Sequence, residues 1–100
     1  MIYGEIETQE SYCDFYAELL EFIKAHFNDV ESGLQGDAYI WISAGSEKVS
    51  LDTFTSMNFE IKAHALSSTL VELVIETIQK QYIVRRYGEP ILEAFDDVDS

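Results

Sequence analysis

Apolar and polar residues change their spacing several times along the chain, and each spacing predicts an element. Ile2, Gly4 and Ile6 alternate with Tyr3, Glu5 and Glu7, the period of a short strand. From Thr8, read as an N-cap with Glu10 in the first turn, to about Asn28, the apolar residues recur at helical spacing: Tyr12, Phe15, Tyr16, Leu19, Leu20, Phe22, Ile23 and Phe27. They fill an arc of about 160° on a helical wheel, with Glu10, Asp14, Glu18 and Glu21 almost diametrically opposite. This helix is therefore amphipathic, with an acidic outer stripe.

The stretch from Asp29 to Asp37 holds two glycines and no apolar period, which predicts a connection with room for a short edge strand. Ala38 to Ala44 is rich in strand formers, Gly45-Ser46 supplies a turn, and Lys48 to Thr55 returns with Val49 and Leu51 on one side and Phe54 on the other. Met57 to His64 alternates Phe59, Ile61 and Ala63 with Asn58, Glu60, Lys62 and His64, the pattern of a half-buried strand. A second helix is predicted from about Ser67 to Gln81, with Thr69 and Glu72 at capping-box spacing and Leu66, Leu70, Leu73, Val74 and Ile78 as its core line. Tyr82 to Tyr87 reads as a last strand ended by Gly88 and Pro90, with Arg85 and Arg86 on opposite faces. Ile91, Leu92 and Phe95 then read as a short docking turn before an acidic end.

These elements add up to an α+β fold: an antiparallel sheet of about four to five strands with two helices on one face, in the order β-α-β-β-β-α-β. With the first and last strands central, the order is ferredoxin-like. Without the first strand it is similar in outline to small acidic chaperones of secreted effectors, a likeness of element order alone. One domain is expected over residues 1–95, followed by an acidic tail over 96–100.

Composition narrows the function. The 100 residues are 47% hydrophobic and include 13% aromatics, so a core forms and a disordered acidic tail is excluded as a description of the whole. The formal charge of -13 disfavours phosphate backbones and anionic lipid heads, so no direct nucleic-acid or membrane binding is expected. Along the chain that charge is uneven. Residues 1–37 carry nine acids and one base, 38–88 balance at five and five, and 89–100 carry five acids and no base. Stacked acids on one helix cost roughly 0.2–0.5 kcal/mol per pair, so stability alone does not select the stripe.

Two surfaces follow as candidates. The first is the stripe Glu10, Asp14, Glu18 and Glu21 together with Asp96, Asp97 and Asp99, which suits a basic partner or serves solubility. The second is a pair of aromatics. If Ile40 and Ile42 pack under the helices, Tyr39 and Trp41 lie on the open face of the sheet; the opposite polarity makes Trp41 core. Exposed aromatics with polar tips suit protein contacts, whereas an RNA-stacking sheet needs more bases than Lys48 and Lys62 supply.

Catalytic and metal chemistry finds little support. His26, on the apolar side of the first helix, and His64 have no Cys or His at ligand spacing, so no zinc site or other cofactor is expected. The tail acids lack the glycine and terminal glutamate of a calcium loop. Cys13 and His26 sit about 20 Å apart on one straight helix, which leaves a Cys13/His64 dyad as the conceivable nucleophile. The single cysteine and the lack of a secretory signal point to a cytoplasmic location. The function expected is a non-enzymatic acidic module that binds a basic protein surface, as an inhibitor, immunity-type protein or nucleic-acid mimic. The alternatives are a small dimeric chaperone or adaptor that takes an apolar partner on Tyr39 and Trp41, and, third, an enzyme.

Overall fold

A computed structural model describes residues 1–9, 11–35, 37–54, 58–64 and 68–91, with the side chains of residues 12, 13, 35, 68 and 89–91 outside that description. The order is β1 (Ile2–Glu7), α1 (Tyr12–His26), β2 (Val30–Gln35), β3 (Asp37–Ala44), β4 (Glu47–Asp52), β5 (Glu60–Ala63), α2 (Ser68–Ile78) and β6 (Ile83–Ile91). The α+β class is as expected, but the sheet has six strands, in the order β2-β3-β4-β5-β1-β6. Every pairing is antiparallel.

The extra strand is β2, where the glycine-containing stretch lacks an apolar period because an edge strand buries little. Its six residues pair with β3 without interruption, from Val30 opposite Ile42 to Gln35 opposite Asp37. The first strand joins the sheet between β5 and β6, so the chaperone-like outline without it does not hold, and β6 is an edge rather than a central strand. Gly45 turns β3 into β4 with φ +62°, the conformation a primed hairpin turn requires and glycine adopts without strain.

Both helices cover one face. Ala38, Ile40, Ile42, Val49, Leu51 and Ile61 project from alternate strand positions into one cluster with Phe15, Leu19 and Ile23 of α1 and Leu70, Val71, Val74, Ile75 and Ile78 of α2. Full burial of each side chain larger than Ala38 among them stabilises the fold by about 1.5–3 kcal/mol. The core line of α2 runs through Val71 and Ile75, while Leu73 faces outward at 52% exposure; Leu66 lies outside the described residues. Likewise His26 is exposed, its ring 4.4 Å from Phe22 and a ring nitrogen 2.8 Å from the Phe22 carbonyl oxygen.

The helix starts also differ from the prediction. Ser11, not Thr8, caps α1, its Oγ accepting from the Asp14 N–H at 3.3 Å. At α2 the Leu70 N–H donates to Glu47 Oε1 of β4 at 2.9 Å, so a sheet carboxylate satisfies an early helix donor. Past α2, β6 continues through Gly88 and Pro90 instead of ending there, and it takes in Ile91. Proline is compatible with that place because an edge strand can spare a donor.

Candidate interaction surfaces

The register arranges the face opposite the helices into rows. One row crosses the whole sheet: Gly33 of β2, Tyr39 of β3, Asp52 of β4, Glu60 of β5, Glu5 of β1 and Arg85 of β6. Its left half is aromatic. Tyr39 lies over Gly33 so closely that a Cβ there would fall 2.5 Å from the Tyr39 ring. Trp41, two residues on, has its ring 4.5 Å from that of Tyr39, and Lys48 Nζ sits 3.9 Å over the indole. Tyr39 and Trp41 are half-buried, and Phe54, 6.4 Å from Tyr39, is 47% exposed. Ile40 and Ile42 are fully buried on the other face, which settles the polarity of β3.

The right half of the row holds three buried carboxylates. Asp52, Glu60 and Glu5 are 3%, 7% and 5% exposed and stand on adjacent strands. Like charges directly opposite repel, so such a row survives only with counter-charges. Lys62, itself 5% exposed, supplies one: its Nζ is 2.7 Å from Asp52 and 3.9 Å from Glu60, with the Phe54 ring 5.7 Å away. Arg85 supplies the other, pairing with Glu5 and reaching Glu7 at 4.0 Å. Asp52 also accepts from Ser50 Oγ at 2.7 Å and from the Phe54 N–H at 3.3 Å. Among the described residues, no three acidic, histidine or cysteine side chains converge as metal ligands.

The pattern along the chain does not reveal this network. The alternation of Met57 to His64 marks Glu60 and Lys62 as solvent-facing, yet β5 is buried on both faces. The available signal is the sign alternation Glu60, Lys62 within a four-residue strand, and it becomes meaningful only with Asp52 and Glu5 beside it. An open depression of about 350 Å³ adjoins the row's end, lined by Glu5, Glu7, Asn58, Ile83 and Arg85 among others.

Arg86, next along β6, projects to the helix side and forms a two-pronged pair with Glu72 of α2, at 3.0 and 2.6 Å. The Glu72 hydrogen bonds hold the guanidinium still further into its charged range, against an opposing effect of burial and with help from the charges of Glu72 and Glu76. The two arginines thus divide between faces, as adjacent strand positions must.

The acidic stripe lies on the other side of the molecule. Asp14, Glu18 and Glu21 are exposed along the outer side of α1, which packs on β2 and β3. Asp14 accepts from Ser11 Oγ at 2.9 Å and Glu18 from the Tyr82 hydroxyl at 2.9 Å. Asp29, Glu31 and Asp37 are exposed on and around β2 and the start of β3, on the face of the sheet that carries Tyr39 and Trp41 rather than the helices. Glu10, Asp96, Asp97 and Asp99 lie outside the described residues, as does the side chain of Cys13. His64 is exposed just after β5. The structure therefore sets the stripe on the helix layer and Tyr39 with Trp41 on the opposite face of the sheet.

No protein-family model, curated protein or solved structure matches this chain. Among the described residues no helix is long and apolar enough to cross a membrane.

Proposed function

We propose that the chain is a non-enzymatic, acidic protein-binding module whose α1–β2 side engages a basic surface on a partner protein, in the manner of an inhibitor, an immunity-type protein or a mimic of nucleic-acid charge. One observation carries the reading. Residues 11–44, which build α1, β2 and β3, hold six acids and one base, Lys24, and none of the ion pairs among the described residues involves those acids. Of the other five bases, Lys62, Arg85 and Arg86 stand in ion pairs, Lys80 follows α2, and Lys48 of β4 lies over the Trp41 ring. An uncompensated acidic side raises the encounter rate with a cationic surface and makes it salt-dependent.

Capture from native lysate on the immobilised chain at low salt, followed by a salt gradient, tests this. A basic protein should be retained and released by salt. The triple variant Glu18→Gln, Glu21→Lys, Glu31→Lys should release it at clearly lower salt. Capture of nothing, or release from the triple variant at unchanged salt, overturns the reading.

A second reading rests on the half-buried Tyr39 and Trp41 with the exposed Phe54, which suit a small dimeric adaptor. It predicts a salt-insensitive dimer in sedimentation that Trp41→Ala disrupts.

A further inference from the structure

The two edges of the sheet are built differently. On β6, Pro90 removes a backbone donor, Arg85 and Arg86 add charge, and the register against β1 shifts between Ile2 and Gly4. These are the devices by which edge strands resist pairing. On β2, the sequence Val-Glu-Ser-Gly-Leu-Gln contains no lysine, arginine or proline, and all six residues stay in register with β3.

Hydrogen-bond phase shows which groups β2 presents. The Ser43 N–H donates to the Asp29 carbonyl at 3.0 Å, so Asp29, Glu31 and Gly33 direct their backbone groups toward β3. Val30, Ser32 and Leu34 then direct theirs outward, where among the described residues no strand follows. Side chains alternate as well. Asp29 and Glu31 share the open face with Ser43 and Trp41, whereas Val30, Ser32 and Leu34 share the helix face with Ile42, Ile40 and Ala38. Leu34 is 43% exposed there, apolar surface at the rim of the core.

We propose that the outer edge of β2 takes an extended segment of the basic partner as a seventh strand, its side chains alternating basic on the open face and apolar on the helix face. The inference rests on the basic-partner reading above and specifies where and how that partner binds. Backbone groups of Val30, Ser32 and Leu34 supply the ladder, Asp29 and Glu31 attract the bases, and Leu34 with Val30 receives the apolar residues. A second copy of this chain is the wrong occupant, because pairing β2 with β2 sets Glu31 and Asp29 of one copy near those of the other.

The full-length chain is titrated with a capped seven-residue peptide of alternating lysine and valine, and with a peptide of the same composition in which the lysines form one block. Hydrogen exchange is followed amide by amide. The alternating peptide should bind about tenfold tighter than the block peptide and slow exchange at Val30, Ser32 and Leu34 about tenfold, leaving Glu31 and Gly33 unchanged. Ser32→Pro, which deletes one outward donor and spares the β3 ladder, should weaken the alternating peptide about tenfold. Exchange at these amides in the unaltered chain decides the matter even where that variant folds poorly. Equal binding of both peptides without the alternating protection overturns the seventh strand while leaving the acidic docking reading in place. Binding of neither peptide overturns the seventh strand, and the lysate capture then decides the broader reading separately. Protection of the same three amides by the chain alone, rising with its own concentration, assigns the edge to a second copy and overturns the proposal.

Discussion

The half of the molecule made by α1, β2 and β3 and the half made by β4, β5, β1, β6 and α2 handle charge in opposite ways. In the first, six acids face one lysine and the acids enter no ion pair among the described residues. In the second, seven acids with described side chains meet five bases, and Lys62, Arg85 and Arg86 each pair. The two halves also differ in connectivity. Helix α1 leads through a short connection into β2, and β2, β3 and β4 pair with their sequence neighbours, so local turns set the register. By contrast, β1 must find β5 and β6 from far along the chain, and Glu5 meets Arg85 in the β1–β6 pairing, the longest-range strand pairing in the sheet. Charges are paired on β4, β5, β1, β6 and α2, whether their partners are near in the chain, as for Lys62 and Asp52, or far apart, as for Glu5 and Arg85, and left outward on α1, β2 and the start of β3.

The largest expected effect breaks the paired half. Lys62→Met leaves Asp52 and Glu60 buried without their nearest cation, and removing one member of a buried pair costs about 3–5 kcal/mol. Urea unfolding should show the midpoint fall accordingly; a loss under about 1 kcal/mol would mean that the row is held by something other than Lys62. Next comes the backbone of the same half. A Cβ at Gly4 would lie 2.6 Å from the Arg85 carbonyl oxygen and 3.1 Å from the Arg86 Cα, so β1 and β6 would have to part. Gly4→Ala should cost about 1–3 kcal/mol. Gly33→Ala in the acidic half meets only the Tyr39 ring, which can swing aside, so it should change Trp41 fluorescence more than stability.

What the sequence makes legible divides along the same line. The apolar face of α1, the alternation of Ile40 and Ile42 with Tyr39 and Trp41, and the opposed arginines all follow from local periods, and the structure keeps them. β2 is hidden as a full strand because its Val-Glu-Ser-Gly-Leu-Gln run has little to bury and carries a glycine covered by another residue's ring. The buried carboxylate row is hidden for a different reason. Asp52, Glu60 and Glu5 come from three separate strands, and a charged residue on a strand reads as solvent-facing until its neighbours across the sheet are known. Leu73 reads as core because the helical wheel leaves it beside Leu70 and Val74, whereas Val71 and Ile75 are the residues that face the sheet.

The smallest effects sharpen the contrast. Glu72→Gln removes a two-pronged pair with Arg86, yet both side chains are more than two-fifths exposed, which limits the loss to about 0.2–1 kcal/mol. Glu21→Gln should do less still. It relieves the repulsion from Glu18 and forgoes the attraction of Lys24, each three residues away on α1, so the two changes offset and stability should hold within about 0.5 kcal/mol. If the acidic half exists for recognition, the same substitution should lower the salt concentration at which a captured basic partner elutes. A Glu21→Gln chain that lost more than about 1 kcal/mol in urea would show that this carboxylate belongs to the fold. The acids of the two halves would then differ only in what they face.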